Sequence, residues 1–141
     1  MKARLLWGAG GLLALVLVVL GAVGVYLMRA QPQHEGTLRL SGLKSVVKVS
    51  RDGAGVVHIE GDSMADTAFA LGFTHAQERG WQLEFNRRIM HGELAEILGE
   101  AALPVDKLLR TLGIYQVAQK QYAGYPEDVK ATLQAYSKGI Q

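Results

Sequence analysis

The chain has 141 residues, a formal net charge of +2 at pH 7 and no cysteine. That length allows about one domain, and the missing cysteines exclude disulfides, thiolate metal sites and a cysteine nucleophile. Its basic residues are scattered, with no stripe of cations interleaved with aromatics, which argues against nucleic acid as a partner.

Met1-Lys2-Ala3-Arg4 makes a short basic start, residues 5–28 carry no charge, and Arg29 closes the run. A helix of that length spans a hydrocarbon core of about 30 Å. A cleavable signal peptide has a shorter apolar region, about 7–15 residues, followed by a small-x-small site. The best such site here, Ala22-Val23-Gly24, falls inside the apolar run. Residues 1–30 therefore read as an uncleaved signal anchor that enters a membrane through residues 5–28. Lys2 and Arg4 would stay cytoplasmic, which puts the remainder outside. Gly8, Gly10, Gly11, Gly21 and Gly24 read as small residues tolerated in such a segment rather than as a helix-packing face.

Residues 31–41 read as a linker, with Pro32 and Gly36 in its polar part. Val46-Val47-Lys48-Val49 and Val56-Val57-His58-Ile59 are two β-branched runs around Asp52-Gly53-Ala54-Gly55, which predicts a β-hairpin. Ser63 is an N-cap signal, with Asp66 three residues later as a partial capping box. Apolar residues at three- and four-residue spacing follow, from Ala65 and Phe69 through Trp81, Phe85 and Ile89. That periodicity predicts a helix over 64 to about 90, either unbroken or interrupted near Gly72–Thr74, and ended by Gly92. Residues 93–98 predict a short helix stopped by Gly99. Pro104 opens another, with Leu108, Leu109 and Leu112 as its apolar face and Gly113 as its stop. Helices are expected over 115–122 and from Pro126 onward, the last with Val129, Leu133 and Tyr136 on one face and Lys138-Gly139 as its stop. The fold class is α+β: a membrane helix, a β-hairpin and several α-helices. A lone hairpin is marginal and its edges need another layer. With the chain closing on a helix at Gly139-Ile140-Gln141, residues 42–141 are expected to be an incomplete domain.

Candidate chemistry is sparse. Ser41-Gly42-Leu43-Lys44 matches a Ser-x-x-Lys pattern, in which lysine activates serine. Two fixed positions make a weak signal, and no Lys-Thr-Gly or Ser-Asp-Asn follows. His75 and Glu78 lie three apart on a predicted helix, and His58 and Glu60 two apart on a strand. Either pair could give two metal ligands, but further ligands at matching spacing are lacking, and structural hydrogen bonding is the better reading. His34 and His91 read as surface residues. Arg51-Asp52 and Arg87-Arg88 read as salt-bridged residues that join helix to hairpin, with at least one guanidinium partly buried.

Taken together, these residues resemble the penicillin acylase family. The resemblance runs through Gly42-Leu43, Val47-x-Val49-x-Arg51-Asp52-x-x-Gly55-Val56-x-His58-Ile59 and Asp66. It continues with Ala70-x-Gly72-Phe73-x-His75-Ala76-Gln77-x-Arg79-x-x-Gln82, Arg87-Arg88, Gly92-Glu93-Leu94-Ala95-Glu96 and Gly99. Asp106, Arg110, Leu112-Gly113 and Leu133-x-Ala135-Tyr136-x-x-Gly139 complete it. Val57 stands where proline is common in the family, and Ile140-Gln141 where Val-Asn is usual.

The resemblance implies an exported precursor of an N-terminal-nucleophile hydrolase with an αββα fold, in a bacterial periplasm or anchored to the inner membrane facing it. Such a precursor cleaves itself into an α and a β part. A serine at the new N-terminus of β attacks an amide carbonyl, with its own amino group as base. Substrates implied are acylated β-lactams or acyl-homoserine lactones, and a calcium ion is expected in the full-length family. The resemblance covers only the first part of the α region, so it assigns no catalytic, substrate-binding or metal residue here. The partners implied are the remaining α region and the β part with its serine. The expectation is an N-terminal portion of an amidohydrolase, inactive alone; the alternative is a membrane-anchored, non-enzymatic binding module.

Overall fold

The computed structural model describes residues 2–141, with side chains from Leu13 onward. Two compact units divide it, Met1–Leu38 and Arg39–Gln141. In the first, α1 (Lys2–Ala30) is one uninterrupted helix. Leu13–Ala30 is long and apolar enough to cross a membrane, with a mean hydropathy of 2.3, and a signal sequence meets the same test. The expectations for the charges of Lys2 and Arg4 and for the surroundings of Gly8, Gly10 and Gly11 lie outside the described residues.

The second unit is mostly helical and contains the expected hairpin. Strand β1 (Lys48–Arg51) pairs antiparallel with β2 (Val57–Glu60), with Val49 opposite Ile59 and Arg51 opposite Val57. Both strands sit slightly later in the chain than the apolar runs suggest. The intervening loop is closed by Asp52, whose Oδ1 accepts the Ala54 and Val56 N–H groups at 2.9 Å each. Gly55, at φ +81°, supplies the left-handed step that loop needs. The side chains of Val49, Arg51, Val57 and Ile59 share one face, since strand neighbours alternate.

Helix α2 (Met64–His91) runs 28 residues and passes through Gly72–Thr74 without a break. The interruption lies instead at Arg79, whose φ −138° and ψ 24° are not helical. Gly92 ends the helix in the left-handed conformation, φ 66°, as expected. A side chain there would also strike Arg110 Cγ at 2.7 Å and the Asp106 carbonyl at 2.9 Å, so two constraints select glycine.

Three short elements follow: α3 (Ala95–Leu98), a 3₁₀ turn (Glu100–Ala102) and α4 (Leu103–Leu112). Then come α5 (Ile114–Ala123) and α6 (Glu127–Ile140). Pro104 lies in the first turn of α4 and Gly113 ends it, both as the sequence indicates. Gly139 does not stop α6; it is buried inside it. Its missing side chain lets the α6 backbone rest on the Phe69 carbonyl, and Gly72 of α2 likewise rests on the Tyr136 carbonyl. The two glycines are the contact points of one helix crossing, so backbone approach rather than chain termination explains Gly139.

The core is small. Its buried apolar residues among those described are Ala68, Phe69, Ala70, Leu94 and Ala102, and the largest fully buried side chain is Thr74. Helix α4 turns most of its expected apolar face outward: Leu108 and Leu112 are 58% and 60% exposed and Leu109 is half-buried, while Asp106 is buried. The inversion follows from what α4 packs against, the amide-rich start of α3, which needs an acceptor rather than a leucine.

Candidate functional site

The polar residues singled out by the sequence form five separate contacts, each of which joins two elements. The first centres on Asp66, 3% exposed in the first turn of α2. Its N–H donates to Ser63 Oγ at 3.0 Å, which is the expected cap. Its carboxylate does more than a capping box: Oδ1 accepts the Lys44 N–H at 2.8 Å, and Oδ2 accepts the Ser45 and Ser63 hydroxyls at 2.9 Å each. The segment before β1 is thereby tied to the helix start. The Lys44 amide, then the two hydroxyls, hold the Asp66 carboxyl below the usual carboxylate range.

The second contact is the pair between hairpin and helix. Arg51 donates from Nε at 3.0 Å and from Nη2 at 2.8 Å to Glu78 Oε1. The third is His75, whose Nδ1 lies 3.0 Å from the Tyr136 hydroxyl, with the rings edge-on. It pins α2 to α6 beside the glycine crossing. His75 and Glu78 are therefore engaged with different elements rather than with each other.

The fourth contact surrounds Arg87 and Arg88. Both donate to Glu84, Arg87 at 2.8 and 3.0 Å and Arg88 at 2.7 Å. Arg88 also reaches Glu96 at 2.7 Å, and Arg87 reaches Glu93 at 3.3 Å. The expected half-buried guanidinium is that of Arg88, 18% exposed. The expected link to the hairpin is not made by this pair: it belongs to Arg51, because Arg87 and Arg88 lie at the far end of α2, beside α3. The bond to Arg87, with Arg88 adding to it, holds the Glu84 carboxyl down to about 2, and the same bond raises the Arg87 guanidinium.

Asp106 makes the fifth. Its two carboxylate oxygens accept the Leu94 and Ala95 N–H groups at 2.9 and 2.8 Å, capping α3 from a distance. Next to it, Arg110 Nε donates to the Gly92 carbonyl at 2.9 Å. Periodicity gives Asp106 no role, because its partners are backbone groups a dozen residues away; a lone carboxylate in an apolar repeat is the signal that points to it. His91 is likewise more than a surface residue, since its ring stacks on Tyr115 at 4.0 Å between centroids. His58 lies 3.3 Å from Asp52 Oδ2 across the hairpin loop. Glu60 pairs with Lys48 at 3.7 Å.

No cluster of three or more metal-ligating side chains occurs among the described residues. The carboxylates of Asp66 and Asp106 spend their oxygens on N–H and O–H donors, so these residues do not fit a calcium ion. Ser41 lies beside the turn at Gly42 and opens no helix; the next helix begins at Met64. The Ser-x-x-Lys geometry, with serine at a helix start and lysine one turn on, is absent there. What the five contacts accomplish is architecture: they fix the register of the hairpin and α6 against the first part of α2, and of the short helices against its far end.

That register matches known proteins. The penicillin amidase profile matches residues 46–141. The chain belongs to the penicillin amidase family. The penicillin acylase 2 proenzyme of Pseudomonas sp. (strain SE83) is 40% identical over 114 residues, which is 81% of this chain and 15% of that protein. The acyl-homoserine lactone acylase QuiP of Pseudomonas putida KT2440 is 36% identical over 109 residues, 77% of this chain and 13% of that protein. Among solved structures, the thermostable penicillin G acylase from Alcaligenes faecalis superposes with a TM-score of 0.62 at 29% identity. That likeness covers 67% of this chain and 51% of the other. The chain thus spans about one seventh of the curated penicillin amidase relatives it matches.

Proposed function

We propose that this chain supplies the opening α-region scaffold of an amide hydrolase of the penicillin amidase family. The reaction assigned to the assembled protein is hydrolysis of an acyl amide, with an acylated β-lactam or an acyl-homoserine lactone as substrate. The N-terminal serine nucleophile, its oxyanion hole and any calcium site are assigned to polypeptide of the kind that longer relatives carry beyond the matched region. The hairpin would join the sheet layer of an αββα fold, and α1 would hold the assembly at the inner membrane or deliver it to the periplasm.

One observation carries this reading: the family match lies on residues whose polar groups are spent on one another. Asp66, Glu78 and Asp106 each bind groups from another part of the same unit, and Glu84 is taken by Arg87 and Arg88 of its own helix, so none is held ready for a substrate. The outward leucines of α4 and the small core support the same reading, because an apolar face left in water favours a covering partner.

The test is complementation. The 141-residue chain is co-expressed with the C-terminal remainder of the Pseudomonas sp. SE83 proenzyme, and hydrolysis of a chromogenic acyl amide is measured. Neither piece alone should turn over substrate, and the pair should. Turnover by the chain alone would contradict the assignment of the nucleophile elsewhere. Stable association without turnover would favour a binding module.

A further inference from the structure

The contacts of the second unit fall into two groups that meet at the interruption of α2. Before it, Phe69 and Gly72 lie on α6, His75 bonds Tyr136, and Glu78 bonds Arg51 of the hairpin. After it, Arg88 bonds Glu96, Asp106 caps α3, and His91 stacks on Tyr115. Beyond Glu78, residues 79–82 are all exposed, which is just over one helical turn of weakly packed chain between the groups. Arg79 breaks the helical dihedrals there, and a side chain at Gly80 would meet nothing within 4 Å.

The chain crosses between the groups a second time at Gly124-Tyr125-Pro126, where residues 121–129 are again all exposed. Gly124 ends α5 and Pro126 precedes α6. The bond from Gln134 Nε2 to the Tyr122 hydroxyl, 2.9 Å, spans this crossing between two exposed residues. Exposed, weakly packed backbone is where local opening is easiest.

We propose that Arg79–Gly80 and Gly124–Pro126 form a two-strand hinge, about which the group carrying α3, α4 and α5 moves as a body against the group of hairpin, first half of α2 and α6. A helix with one interrupted turn absorbs bending at that turn, because the hydrogen-bond ladder on either side stays intact. Such a hinge would swing the outward leucines of α4 relative to the hairpin edge without disturbing either set of contacts. The inference stands on the contacts of this chain and does not depend on which reaction the family member performs.

The test uses the full 141-residue chain in detergent micelles, with amide exchange followed residue by residue by NMR. Amides of residues 79–82 should exchange at least tenfold faster than those of 70–74 and 86–90. Gly80→Ala, which raises helix propensity in open space, should shrink that gap at least threefold. Because the chain has no cysteine, Asp62→Cys and Lys107→Cys also give a clean spin-label pair. Their distance distribution should be broad and should narrow in Gly80→Ala. Equal exchange along α2, whether uniformly slow or uniformly fast, would overturn the hinge. So would a single narrow distance that Gly80→Ala leaves unchanged.

Discussion

Two carboxylates, Asp66 and Asp106, fix long-range geometry by accepting backbone N–H groups from elsewhere in the chain. Replacing Asp106 with Ala orphans the buried Leu94 donor at about 1–3 kcal/mol and the part-buried Ala95 donor at less, and chemical denaturation should register that loss. Asp106→Asn should be milder, since its amide oxygen still accepts one of the two bonds. Glu84 supplies a pH test. Its carboxyl is depressed to about 2, first by the bond to Arg87 and then by Arg88. A depressed folded value means stability that is fully present above the ordinary carboxylate range. It is lost as pH falls from about 4.5 through about 2. An NMR titration of the Glu84 carboxyl carbon should find its midpoint well below the ordinary glutamate value of 4.5. A midpoint near 4.5 would show that the Arg87–Glu84–Arg88 contact does not persist in solution. The partners of Asp66 and Asp106 are not plain in the sequence, because those donors lie 11–22 residues away, whereas Glu84 meets Arg87 and Arg88 at the three- and four-residue spacing that a helix makes legible.

Among the elements, the α2–α6 crossing is the tightest contact and the least tolerant of added volume. Gly72→Ala and Gly139→Ala each place a methyl group on a facing carbonyl. Overpacking of that kind costs about 1–3 kcal/mol, and thermal melts followed by circular dichroism should show it for both. Helix α4 makes the opposite prediction. Leu108→Ser and Leu112→Ser alter exposed side chains and should change the stability of the isolated chain by less than about 0.5 kcal/mol. Leu94→Ala, at a buried position, should cost about 2–5 kcal/mol. Losses of similar size at Leu108 and Leu94 would mean that α4 packs inward after all. Most helix boundaries were legible, since Ser63, Gly92, Pro104, Gly113 and Pro126 act as start and stop signals wherever the local backbone decides. Two readings failed for a shared reason. Gly139 and the leucines of α4 take their roles from what lies across from them, and periodicity reports only which face is apolar, not whether anything covers it.

For the whole molecule, few side chains are fully buried and the hairpin shows an open edge among the described residues. A two-stranded hairpin with one helix behind it is marginal. The segment from Pro32 to Gln141 should therefore unfold broadly on heating, without one sharp transition, and the two groups flanking the hinge should melt at different temperatures. A single cooperative transition, seen alike by far-UV circular dichroism and by Trp81 fluorescence, would refute this. The residue pattern carried the family through its resemblance over residues 42–139. The order of hairpin and helices, the apolar first helix and most of the punctuation rest on residue type and short-range spacing, which act through local backbone preference. Tertiary structure alone decided the glycine crossing of α2 and α6, the distant capping of α3 by Asp106 and the outward turn of Leu108 and Leu112 in α4. Each depends on which groups, far apart in the chain, arrive within a few ångströms of one another, and no local pattern encodes that distance.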